Sequence, residues 1–218
     1  MMEGIYLIVR FFQNGGPFMY PIALVLMTGL AVVAERWLFL DKARRMNRLA
    51  FEKLLPLLQK QDLRQVMHLA AESSAPVARM VAAGIGRMST SRRRDDIESA
   101  MQEGAMETIP ALERRTGYLA TLANVATLLG LLGTIIGLIA AFTAVAQADP
   151  TEKATLLSTS ISVAMNTTAF GLISAIPLLM FHAMLVSRTT EIVDSLDMAA
   201  VKCLNLLTSV ASASGKAA

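Results

Sequence analysis

Residues 154–187 pass without a single charged side chain, and so do residues 11–34 and 116–148, windows of 34, 24 and 33 residues. A helix needs about 20 mostly apolar residues to cross roughly 30 Å of hydrocarbon. A soluble bundle would instead return charge to one face of each helix every 3.6 residues. These windows do not, so the pattern predicts three transmembrane helices in an all-α membrane protein.

Between and beside the spans the pattern changes. Residues 1–16 read as a short interfacial helix on the outer side, with Ile5, Leu7, Ile8, Phe11 and Phe12 apolar, ended by Gly15-Gly16-Pro17. The first span occupies 17–40, and Glu35-Arg36-Trp37 marks its inner end, where a charge pair and an indole suit the headgroup layer. Residues 41–115 form a helical domain. Leu49, Phe51, Leu54, Leu55 and Leu58 make one amphipathic segment, Leu63, Val66, Met67 and Ala70 a second. Pro76 opens a third, through about Met88, and the run Arg92 to Asp96 begins a fourth. No strong breaker separates that fourth helix from the second span at 116–147, so Pro110 is expected to kink one long helix. A turn at 148–153 follows, with a helix start at about Pro150: Asp149 as cap, Pro150 at the first helical position and Glu152 three after the cap. The third span, 154–187, at 1.5 Å per residue projects roughly 55 Å from that start, beyond the bilayer and beside the second helix. Residues 188–218 make a C-terminal helix and tail.

Charge gives the direction. Of the 20 Lys and Arg, 14 lie between Lys42 and Arg115, while the turn near Asp149 holds only Lys153. The positive-inside rule places 41–115 and the C-terminus in the cytoplasm and the N-terminus outside. The net charge of +3 is therefore a spatial bias and needs no nucleic acid to explain it. The Arg92–Arg94 triplet reads as a solvated or headgroup-facing helix start, with a partner patch as the alternative. The first span exceeds a signal-peptide core in length and has little positive charge before it, so it is expected to be retained. Cys203 stands alone, which excludes an internal disulfide and a cysteine metal cluster.

The spans are uncharged but not simply greasy. Thr127 and Thr134 lie two helical turns apart in the second, among Gly130, Gly133 and Gly137, positions for close helix packing. In the third, Ala164, Thr168, Gly171 and Ala175 form a small-residue stripe, and Ser158, Ser162 and Asn166 a polar one. A membrane hydroxyl often bonds its own i−4 carbonyl, but the Asn166 amide needs a neighbour, a water or a partner helix. Ion paths usually hold an ionisable group within the membrane, and here only His182 qualifies, near the inner end. No nucleophile triad, phosphate loop, dinucleotide or metal-ligand spacing occurs, so no enzyme, cofactor or metal is expected. Two readings stand for the polar stripes: packing in a non-conducting scaffold, or a path completed by a charge from elsewhere. A self-sufficient transporter lacks its coupling charge.

Three stretches carry a resemblance: Gly15-Gly16-Pro17 with Met19, Pro21 and Glu35-Arg36; Ile109 to Arg114 with Leu128 to Thr134 and Gly137; and Ala164 to Leu172 with Ala175-Ile176-Pro177. Together they resemble the ExbB/TolQ/MotA proton-channel family, in its three-span ExbB/TolQ form. The resemblance implies a homopentameric ring in the bacterial inner membrane around two copies of an ExbD/TolR-type single-span partner. That partner supplies a proton-carrying Asp, and Thr134 and Thr168 line its path. Asn166, Thr127 and Ser162 are further candidates for pore or partner contact, and Gly130, Gly133, Gly137 and Gly171 for packing. The implied task is a proton-driven motor for a periplasmic or outer-membrane process: uptake with a TonB-like protein, envelope maintenance of the Tol type, or gliding motility. The chain departs from the pattern at Val163, where relatives commonly have Glu, and at Thr127, where many have Pro.

Overall fold

A computed structural model describes Phe12 and residues 15–216, with side-chain surroundings to Ser209. Apart from Phe12, Gly15 and Gly16, the interfacial helix expected over 1–16 lies outside the described residues. The described chain is helical: α1 (Met19–Gln59), α2 (Leu63–Glu72), α3 (Pro76–Met88), α4 (Arg94–Met106), α5 (Ile109–Glu113), α6 (Thr116–Gln147) and α7 (Lys153–Lys216). Three stretches are long and apolar enough to cross a membrane, within Met19–Gln59, Arg94–Gln147 and Lys153–Ser209, with mean hydropathies of 1.8, 2.3 and 2.1. No more than 33% of any of these windows is buried within the chain. Apolar helices that leave most of their surface uncovered need lipid or other chains around them.

Two compact units make up the molecule. The first joins Met1–Glu35 to Arg115–Met184, which holds the apolar windows. Its interior is built from small residues on α6 and α7: Ala123, Ala126, Gly130, Gly133 and Ala141 against Ala164, Gly171 and Ala175. Larger side chains fill around them, with Ile22 of α1, Leu119 of α6 and Leu178 of α7 fully buried. Gly29 of α1 is packed so closely that an added Cβ would lie 2.5 Å from Leu178 Cδ2. Glu35 and Arg115 pair at 3.5 Å.

The second unit joins Arg36–Arg114 to Leu185–Ala218. Here α1 does not stop at the charged stretch after Leu40. It continues to Gln59, where Gln61 at φ 60 turns the chain and Asp62 caps α2 by accepting from the Gln65 N–H at 3.2 Å. Pro76 at the start of α3 removes one orphan donor, and the buried Asn47 of α1 accepts the Val77 N–H at 3.2 Å to satisfy another. Asp95 and Asp96 occupy the first turn of α4, favourable at the positive end of a helix. Trp37 and Arg188 stack, the guanidinium 3.6 Å from the ring centroid.

The long kinked helix expected through Pro110 is instead broken twice. Its pieces end at Met106 and Glu113, and α6 starts only at Thr116. Pro110 has no N–H to donate to the Met106 carbonyl and its ring crowds that group, so it can only begin the short α5. The second break is sharper, with Arg115 left-handed at φ 68. Arg36, 2% exposed, stabilises the open end of α5. Its guanidinium donates to the Arg114 carbonyl and, at 3.5 Å, to that of Ala111, while stacking 4.4 Å from the Phe39 ring. Removing a charged donor from two part-buried carbonyls costs about 1.5–3 kcal/mol. Arg36→Ala is therefore expected to lower the thermal midpoint of the detergent-solubilised protein by several degrees. An unchanged midpoint would show that the α5 end holds itself. The outer turn also differs from expectation: Pro150–Glu152 form a turn, and α7 begins at Lys153. Beyond Ser187 α7 does not end. It is one helix of 64 residues.

Candidate functional site

Of the polar residues of the apolar unit, Thr168 lies where α6 packs on α7. Glycine makes that approach close. A Cβ on Gly171 would lie 2.8 Å from the Ala126 carbonyl oxygen and 3.0 Å from Gly130 Cα; one on Gly130 would lie 3.2 Å from Gly171 Cα. Gly133 faces Thr167, whose Cγ2 would lie 2.4 Å from an added Cβ, and Gly137 faces Ala164 at 3.1 Å. All four glycines singled out from the sequence thus lie on one seam, each opposite a residue of the other helix.

The backbone contact lets one hydroxyl reach across. Thr168 Oγ1 donates to the Gly130 carbonyl at 2.9 Å, a bond between the two spans. Thr134 follows Gly130 by one turn on the same face of α6 and is half-exposed, its hydroxyl given to the Leu131 carbonyl at 2.6 Å. The two threonines therefore occupy neighbouring levels of one seam, held at a spacing set by glycine backbones. Thr127 is exposed and bonds its own Ala123 carbonyl at 3.1 Å. Ser158 and Ser162 are exposed and Asn166 is half-buried, and none of the three side chains has a hydrogen-bond partner among the described residues. An amide in an apolar helix without a partner is costly to leave so, which points to another chain or water at that face.

Two neighbours of these residues carry weight that the sequence does not announce. Thr167, 2% exposed, donates to the Gly15 carbonyl at 2.6 Å and lies 3.0 Å from the Val163 carbonyl. It ties the turn before α1 to the early turns of α7. Gly16 takes φ 72 there, a conformation natural to glycine, and an added Cβ would meet Val163 Cγ1 at 3.1 Å. Val163 is thus half-buried beside the turn, in apolar contact with it. Phe12 packs edge-on to Phe170 at 5.0 Å in the same region. Ser174, on one face with Thr167 and fully buried, has no partner for its hydroxyl. The signal for both was their seven-residue spacing along a single buried face, two helical turns.

The chemistry on offer is narrow. The seam holds hydroxyls, carbonyls and nearby amides, which exchange hydrogen bonds but do not hold charge near neutral pH. His182 is half-buried farther along α7, without a hydrogen-bond partner among the described residues. Among the described residues no three His, Cys, Asp or Glu side chains come together as a metal site.

A family model described as the MotA/TolQ/ExbB proton channel family matches residues 72–198. A protein of Methanothermobacter thermautotrophicus described as a biopolymer transport protein ExbB homolog is 27% identical over 198 residues, 88% of this chain and 67% of that protein. The Tol-Pal system protein TolQ of Haemophilus influenzae is 38% identical over 95 residues, 43% of this chain and 40% of that protein. A Synechocystis protein described as biopolymer transport protein ExbB-like 3 is 28% identical over 172 residues, 77% of this chain and 79% of that protein.

Proposed function

The chain belongs to the MotA/TolQ/ExbB proton channel family, and from that premise we propose that it is the ring-forming subunit of a proton-driven motor. It is a multi-pass, channel-associated membrane protein. In the proposed assembly five copies surround two single-span partner helices in the bacterial inner membrane, with the N-terminus of each copy outward and the C-terminus in the cytoplasm. Each partner carries an intramembrane Asp. Thr134 and Thr168 face that carboxyl and hand protons along its path, and Asn166, Ser162 and Thr127 offer further contacts. Proton flow turns the partner and energises a task beyond the membrane, such as uptake through a TonB-like protein, Tol-type envelope maintenance or surface motility.

One observation carries this reading. Thr168 bonds the Gly130 carbonyl across a glycine-tight seam, with Thr134 one turn beyond Gly130, within a unit whose spans contain no Asp, Glu, Lys or Arg. Proton transfer across hydrocarbon needs an ionisable group that a moving proton can neutralise. A site with relays and no carrier implies a carrier on another chain. The unpartnered Asn166, Ser162 and Ser158 give that chain something to touch.

Reconstitution tests it. Vesicles holding this chain with a single-span protein that carries an intramembrane Asp are expected to take up protons when a potential is applied. Vesicles holding either protein alone are expected to stay tight. Flux from this chain alone would replace the two-component channel with a self-sufficient one. Tight vesicles with both proteins present would leave a scaffold as the better reading.

A further inference from the structure

In the charged unit a groove of about 320 Å³ runs between the later turns of α1 and of α7. Its charged lining is Arg44, Arg48 and Lys202 against one anion, Glu191. Arg44 meets Glu191 at 3.5 Å and Arg48 meets Glu52 at 2.9 Å, both pairs more than half exposed and so weak holders of their cations. Lys202 sits 5.9 Å above the Phe51 ring. Asn47 also lines the groove; it is 5% exposed, with Oδ1 taken by the Val77 N–H and Nδ2 without a partner. The groove thus offers donors with few acceptors to match, above an apolar floor of Ile192, Leu196 and Ala199.

Elsewhere on the same unit lies its complement. Along α4 and the turn after it, Asp95, Ser99, Glu103 and Glu107 follow one another at four-residue steps, all exposed. None of the three carboxylates has an ion-pair partner among the described residues. Residues 42–53 hold five cations and one anion, and residues 94–107 five anions and one cation. Each face alone reads as ordinary solvated charge. Opposite charge on two separate faces of one chain is what a repeated head-to-tail contact requires.

We propose that the α1–α7 groove of one subunit receives the acidic face of α4 from the next copy, making this the heterologous contact that propagates the ring. The carboxylates of Asp95 and Glu103 meet Arg44, Arg48 and Lys202, while Phe51 supplies apolar contact beside them. The contact rests on the ring reading above, and it adds to that reading the two faces that meet. Because the patches differ, each subunit presents one and receives the other, and the contacts close when the rotation does.

Charge reversal on the full-length protein in detergent tests the contact, with oligomer mass read by light scattering. Arg44→Glu with Arg48→Glu, and separately Asp95→Arg with Glu103→Arg, are each expected to weaken self-association at least tenfold. All four changes together restore it. A second measurement does not depend on those variants folding well: Arg48→Cys with Glu103→Cys, in a Cys203→Ser background, is expected to form disulfides between copies and a ladder of cross-linked species. A wild-type chain that runs as a monomer overturns the ring and the contact with it. A ring that survives both reversals, or the absence of cross-linked ladders, overturns the contact alone. Loss of the ring only in the Arg44/Arg48 variant assigns the groove to an anionic lipid headgroup instead.

Discussion

Gly171→Ala is expected to destabilise the membrane unit by forcing α6 and α7 apart. The added Cβ would sit 2.8 Å from the Ala126 carbonyl oxygen and 3.0 Å from Gly130 Cα. Both obstacles are backbone, so no rotamer change relieves them, and the two helices must separate. Overpacking of this kind typically costs about 1–3 kcal/mol. Here the parting of α6 and α7 also threatens the Thr168–Gly130 bond, which depends on the same approach. Elsewhere the identical change has the opposite sign. At Gly86 of α3 an added Cβ meets nothing within 4 Å, and alanine favours a helix over glycine by about 1 kcal/mol. Gly86→Ala should therefore raise the thermal midpoint while Gly171→Ala lowers it. Equal midpoints for Gly171→Ala and wild type would mean that the seam has slack, and its assignment as the close contact would fall.

The contrast between those two glycines shows what a sequence discloses. The spans were legible because burial in lipid forbids charge over about 20 residues, and the three uncharged windows obey that rule. Helix ends were not, because a change from apolar to charged residues marks a change of surroundings and not of conformation. Between Leu40 and Gln59 nothing prevents helix until Pro56, which lies in the last turn, so α1 runs through a boundary that polarity alone places near residue 40. The same holds for α7, where no Gly or Pro falls between Pro177 and Gly215. The breaks around α5 err in the other direction. Pro110 was visible, but a left-handed Arg115 has no local signature, and the end of α5 before it is held by Arg36, 78 positions before Arg114.

Within the site, residue types were readable and their partners were not. The density of hydroxyls in the third span announced polar contacts. It did not say that Thr167 is committed to Gly15, 152 residues away, while its neighbour Thr168 reaches Gly130. Successive residues on a helix point about 100° apart, so two adjacent threonines serve different neighbours. Val163 illustrates the same limit. The family resemblance marks it as apolar where relatives commonly hold Glu, and the structure adds that it packs beside the Gly16 turn.

The second large effect follows from which hydroxyls are dispensable to the fold. Thr134→Val combined with Thr168→Val is expected to reduce partner-dependent proton uptake about a hundredfold, the lower end of what a positioned proton-transfer group contributes. The chain should still insert and assemble. Valine keeps the branched shape of threonine, and the lost Thr168 bond leaves no orphan donor. The Gly130 carbonyl retains the bond that helix geometry gives it from the Thr134 N–H, so the fold loses about 1 kcal/mol. Thr143→Val is the matched control: that hydroxyl is exposed and donates to its own Ile139 carbonyl at 2.9 Å, so flux should not change. Thr168→Ser, which keeps a hydroxyl at the seam, should preserve most of it. If the double valine variant conducts like wild type while oligomer mass is unchanged, the hydroxyls serve only helix contact and the path lies elsewhere on the ring. If flux and assembly fail together, the threonines hold helices and not protons. Only loss of flux with the assembly intact assigns them to the path, because a residue whose sole work is to hold two helices together cannot be lost without loosening them.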